Sequence, residues 1–131
     1  VISYKTAMDF LKQGHTDDSS QISKELSYVL NFYGKIEPRV IIACEREAYF
    51  SNDDPNLRIT FDSNVRYRAD DTELSHGSDG KPILHDGNYL MEIKTATAIP
   101  VYLSKMLSEQ KIYPRSFSKV GTAYNDYYEY L

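Results

Sequence analysis

The sequence has no tryptophan, a single cysteine and no basic excess. With Cys44 alone, neither a disulfide framework nor a cysteine metal site is available. A lone thiol inside an apolar run reads as a buried structural residue. The 15 basic and 19 acidic residues leave a formal net charge of -4, with a pI near 5.3. A general nucleic-acid or membrane-surface binder carries the opposite balance. Nucleic acid and direct membrane insertion are therefore not expected, while a local basic site stays open. No apolar run approaches the roughly 20 residues of a membrane span. No signal peptide is visible, and the expected location is cytoplasmic. Glycine-rich phosphate loops, G-x-S-x-G and H-E-x-x-H are all missing. Cys44 has no evident histidine partner in sequence for nucleophilic catalysis. A chain starting at Val1, with no Met, is expected to be an excised piece of something longer.

What is present fits one α+β domain of 131 residues, long enough for a real core. Tyr4, Ala7, Met8 and Leu11 fall at helical spacing over residues 3–13, and Gly14 suits the stop. The spacing predicts a second helix over residues 17–33. Asp18 is its expected cap with Gln21 reaching back, and Ile22, Leu26, Val29, Leu30 and Tyr33 form its stripe. Pro38 opens a strand that is apolar on both faces from Val40 to Cys44 and charged from Glu45 onward. The turn-rich run from Ser51 to Asn56 joins it to a second strand, Leu57 to Arg68, as an antiparallel hairpin. Leu57, Ile59, Phe61, Val65 and Tyr67 are the expected apolar face. Residues 69–88 are acidic and turn-rich, with His76 and His85 near carboxylates in no metal-motif spacing. Tyr89 to Thr95 alternates as a third strand. Pro100 suits a first helical position, with Ile99, Leu103, Met106 and Leu107 as the buried stripe. Phe117, Val120, Tyr124, Tyr127, Tyr128 and Leu131 recur at helical spacing in a last helix. Twelve tyrosines imply a core with many polar-tipped aromatics.

The 89–95 strand puts Glu92 and Lys94 on one face. By the same parity Arg46 lies on the first long strand, and Arg58, Thr60, Asp62, Arg66 and Arg68 lie on the second. Taken alone, Arg58 to Asp62 reads as the solvated outer face of a sheet, where ion pairs contribute about 0–1 kcal/mol. Three strands carrying charge of one parity point instead to a polyanion. Arginine presents a planar fork to phosphate oxygens, and a carboxylate among arginines suits Mg2+ or Mn2+ bridging phosphates. Ser118 and Lys119 open the last helix, where free N–H groups attract anions. A capping serine followed by a surface lysine is the plain alternative.

These pieces resemble the VTC (vacuolar transporter chaperone) domain, the polyphosphate polymerase branch of the triphosphate tunnel metalloenzymes. The resemblance runs from about Pro38 to Tyr124. It rests on Glu45-Arg46-Glu47-Ala48-Tyr49, Leu57-Arg58-Ile59-Thr60-Phe61-Asp62, Leu90-Met91-Glu92-Ile93-Lys94, Ile99-Pro100 and Phe117-Ser118-Lys119, in that order. It implies an antiparallel sheet forming part of a charged tunnel barrel, with helices packed outside. It further implies that Arg46 and Arg58 hold phosphates and Glu92 holds the metal. Ser118 and Lys119 would contact phosphate at the last helix, with Arg46, Arg58 and Lys119 serving catalysis. Lys94, Arg66 and Arg68 join the substrate-binding set by strand parity. The implied chemistry moves the γ-phosphoryl of ATP onto a polyphosphate chain. The family's N-terminal strands are missing here, so the chain is expected to be the C-terminal portion of the domain. A missing N-terminal half or another chain would complete the tunnel. Ser116 stands where some relatives carry another basic residue, with Arg115 beside it. Two other readings stay open: a polyanion-binding module without turnover, and a domain whose charged face pairs with a protein.

Overall fold

The computed structural model describes residues 3–14, 20–34 and 36–128. They fall into two compact units, Val1–Arg39 and Val40–Leu131.

The first unit is a helix pair. Helix α1 spans Tyr4–Gln13. Ser3 caps it by accepting the Thr6 N–H, and Gly14 ends it in the left-handed region at φ 74°. Helix α2 spans Gln21–Tyr33. The expected start at Asp17 with an Asp18 cap is corrected: Ser20 caps the helix, its hydroxyl accepting the Ser23 N–H at 3.2 Å. The Gln21 side-chain amide donates to Glu25 one turn on. Asp18 lies outside the described residues. Ile22, Leu26, Val29 and Tyr33 of the stripe are exposed, and Leu30 is half-buried.

The second unit is a mixed helix and antiparallel-sheet fold. Its strands are β1 (Ile41–Phe50), β2 (Arg58–Arg68), β3 (Lys81–Pro82) and β4 (Leu90–Lys94). The long strand β2 is central. It pairs with β1 on one side, and with β4 and then β3 on the other. Among the described residues the sheet is open, not closed into a barrel. Helices α3 (Val101–Glu109) and α4 (Lys119–Tyr128) follow it. Pro100 is the residue before α3 rather than its first residue, and of the expected stripe only Leu103 is fully buried. The core holds Leu57, Val65, Tyr67, Leu103 and Ala123, with Thr60 and Asp62 buried beside them. In α4 it is Ala123 that is buried, while Val120 and Tyr124 are exposed. Leu131 lies outside the described residues.

One irregularity governs the sheet. The β1–β2 register runs from Glu45↔Ser63 to Ala43↔Arg66, so Cys44 faces two residues, Asn64 and Val65. Asn64 takes up the extra residue at φ 47°. A bulge of this kind exchanges the two faces for every residue beyond it. Before the bulge, Thr60 and Asp62 are the buried positions; after it, Val65 and Tyr67 are. The expected apolar face of β2 is therefore split. Val65 and Tyr67 lie on the face of Thr60 and Asp62, opposite Ile59 and Phe61.

Candidate functional site

The β1–β2–β4 ladder builds the site in three rows. Asp62 lies across from Arg46 and Leu90, Thr60 from Ala48 and Glu92, and Arg58 from Phe50 and Lys94. Residues directly opposite one another share a face. Arg46, Arg58, Glu92 and Lys94 therefore stand on one side of the sheet, with Asp62 between them. Successive rows are about 7 Å apart, two residues along a strand.

Asp62 is the hub. Its side chain is fully buried, and Arg46 closes on it with Nε donating to Oδ1 at 2.5 Å and Nη2 donating to Oδ2 at 2.7 Å. Lys119, the first residue of α4, brings Nζ to 2.7 Å from Oδ2. The Arg46 pair, joined by Lys119, holds the Asp62 carboxyl at about 2, against burial, which pushes it up. The same bond raises Arg46. Arg46 remains 42% exposed at its side chain and Lys119 21%, so both cations reach past the buried carboxylate.

The outer row is more open. Lys94 Nζ lies 3.1 Å from Glu92 Oε1, and the two side chains are 57% and 39% exposed. That hydrogen bond, with the charges of Lys119 and Arg46 beyond it, lowers the Glu92 carboxyl. Arg58 places its guanidinium carbon 6.0 Å from the Phe50 ring centre, a cation–π distance.

The family model for the VTC domain matches residues 2–128. The chain belongs to the VTC domain family. The match takes in helices α1 and α2, which the Pro38–Tyr124 motifs had left out. No curated protein and no solved structure matches the chain.

In this VTC domain α4 is fastened to the sheet at both ends. Lys119 meets Asp62 at its start. Near its other end Asp126 accepts the Tyr67 hydroxyl at 2.7 Å and pairs with Lys81 at 2.9 Å. Burial and then Asp126 push the Tyr67 phenol up to about 12. Ser118 caps α4, its hydroxyl accepting the Gly121 N–H at 3.0 Å, which leaves the O–H as a donor.

Arg66 and Arg68 do not join the charged rows. They lie beyond the bulge, and so on the opposite face from Arg58. Arg66 donates to the Ser78 carbonyl and hydroxyl and to the Asn64 carbonyl. Arg68 donates to the carbonyls of Asp71 and Glu73, with longer bonds to those of Gly77 and Asp79. Both guanidiniums organise the 69–80 loop. In that loop His76 Nδ1 lies 2.7 Å from Asp71 Oδ2. No group of three His, Cys, Asp or Glu residues that could hold a metal ion is found among the described residues. None of their helices is long and apolar enough to cross a membrane.

Asp62, the hub of the cluster, has no place among the expected site residues. Its parity with Arg58 and Thr60 was legible. Its partnership with Lys119, 57 positions away in sequence, depends on where α4 lands.

Proposed function

We propose that this VTC domain supplies a phosphate-binding wall to a metal-dependent polyphosphate polymerase. A terminal oxygen of the polyphosphate chain attacks the γ-phosphorus of ATP. The bond to the β–γ bridging oxygen breaks, and ADP leaves with that electron pair. The observation that carries the reading is the convergence of Arg46, Arg58, Lys94 and Lys119 on one sheet face around Asp62 and Glu92. Four cations against two carboxylates make the face formally positive in a chain of net charge -4. Such a patch draws in a polyanion and offsets charge building on the transferred phosphoryl, which is where positioning and electrostatics do most of the catalysis.

Glu92 suits a divalent cation; Asp62, enclosed by two cations, does not. Mg2+ or Mn2+ is typically bound through one or two carboxylates plus substrate phosphates, so a single carboxylate beside the phosphate-binding cations fits that donor set. Glu92 would hold such an ion, which would supply positive charge against the negative charge of the phosphates. Arg46 and Arg58 orient the phosphates, Lys119 and Ser118 contribute donors at the start of α4, and Lys94 extends the positive face. Closure of the open sheet into a tunnel by further strands belongs to the same proposal.

Isothermal titration with inorganic tripolyphosphate at two ionic strengths tests the wall. Binding that weakens with salt is expected. Absence of binding at both would remove the reading. A second reading, polyanion holding without turnover, is favoured by Glu92 being the single carboxylate among those rows that reaches solvent. Release of ADP from ATP by the full-length protein separates the two.

A further inference from the structure

We infer that Asp62 is a positioning residue, which sets the separation and orientation of Arg46 and Lys119 so that both address one phosphate chain. The inference rests on the phosphate-binding reading above.

Asp62 cannot touch the ligand itself. Its side chain has no exposed surface, and it carries the ligand's own sign of charge. Both of its oxygens are held by the cations: Oδ1 by Arg46 Nε, and Oδ2 by both Arg46 Nη2 and Lys119 Nζ. Arginine has five N–H donors and lysine three. Asp62 takes two from Arg46 and one from Lys119. The remaining donors belong to groups that are 42% and 21% exposed. One carboxylate thus holds cations from a strand and from a helix start. Without it, two like charges at this spacing repel and both side chains regain their rotamers, so a bound anion must order them again.

The sign of the effect on anion binding distinguishes this role from simple electrostatics. Neutralising a carboxylate beside an anion site raises affinity on charge grounds alone. Positioning predicts the reverse. In the full chain, Asp62→Asn is expected to weaken tripolyphosphate binding about tenfold, read by isothermal titration well below the melting temperature. Asp53→Asn, at an exposed turn position, changes affinity less than twofold. Should Asp62→Asn fail to fold, Asp62→Glu keeps the charge and lengthens the arm by one methylene. Its binding is expected to weaken at least threefold while the variant melts cooperatively. A purely structural role lowers the melting temperature and leaves affinity of the folded variant unchanged. Equal or tighter binding by the folded variant, with wild type binding normally, overturns the role of Asp62 alone. No binding by wild type overturns it together with the phosphate wall.

Discussion

Asn64 donates its side-chain amide to Glu45 Oε1 at 2.8 Å, across the one irregularity in the β1–β2 ladder. The pair marks the point where β2 changes faces. Asn64 sits at φ 47°, a region that asparagine tolerates better than most non-glycine residues and that β-branched residues reach only with strain.

Asn64→Gly is therefore expected to change stability by less than about 1 kcal/mol, losing the bond to Glu45 but easing the backbone. Asn64→Val is expected to cost about 2 kcal/mol or more. Urea melts of the two variants test this. Equal loss in both would mean that the side-chain bond, not the backbone, holds the bulge.

That one residue also explains how far the sequence could be read. Hydrophobic alternation, turn residues and helical spacing place β1, β2, β4, α3 and α4 to within a few residues, while β3 lies in the run read as turn-rich. Parity correctly groups Arg46, Arg58, Glu92 and Lys94 on one face, because no bulge interrupts the rows that hold them. Parity carried past Asn64 assigns Arg66 and Arg68 to that face, and fails, because an extra residue in a strand leaves no mark on composition. The start of α2 failed for another reason. Asp18 and Ser20 are both good caps, and residue type alone does not choose between them. The Lys119–Asp62 contact is a tertiary event with no local signal.

Arg68→Ala is expected to loosen the 69–80 loop without touching anion binding. The guanidinium bonds to the carbonyls of Asp71 and Glu73 at 2.7 and 3.0 Å, and loss of such charged donors costs about 2 kcal/mol. Amide exchange in residues 71–79 should accelerate, while tripolyphosphate affinity stays within twofold of wild type. A tenfold loss of affinity would return Arg68 to the site.

Acid should expose the Asp62 linkage. Its folded pKa of about 2 lies below the ordinary aspartate value of 3.8. A depressed carboxyl contributes stability that is present above the unfolded pKa and is lost as pH falls through the folded one. The window is therefore roughly pH 4 to 2. The contribution of this one group is about 2 kcal/mol. Melting curves from pH 5 to 2 should show that loss in wild type. Asp62→Asn, already less stable at neutral pH, should show a shallower acid limb. Parallel limbs would assign acid unfolding to other carboxylates.

Glu92→Gln separates a metal ligand from an ion-pair partner. The Glu92–Lys94 pair is 3.1 Å long, and both side chains are more than a third exposed. Exposed pairs of this kind contribute about 0–1 kcal/mol. An ion-pair role therefore gives the substitution little to disturb, and the full-length variant should melt within a few degrees of wild type. Removing the carboxylate also removes negative charge from the proposed anion-binding face, so metal-free tripolyphosphate affinity should hold or rise. A metal role predicts a different loss. Glutamine keeps the shape and one acceptor oxygen but not the charge that a divalent cation requires. ADP release should then fall by two orders of magnitude or more across the Mg2+ and Mn2+ concentrations tested, with fold and anion binding intact. Wild-type turnover by a folded Glu92→Gln protein would leave Glu92 as the surface partner of Lys94 and place the metal ligands on other residues.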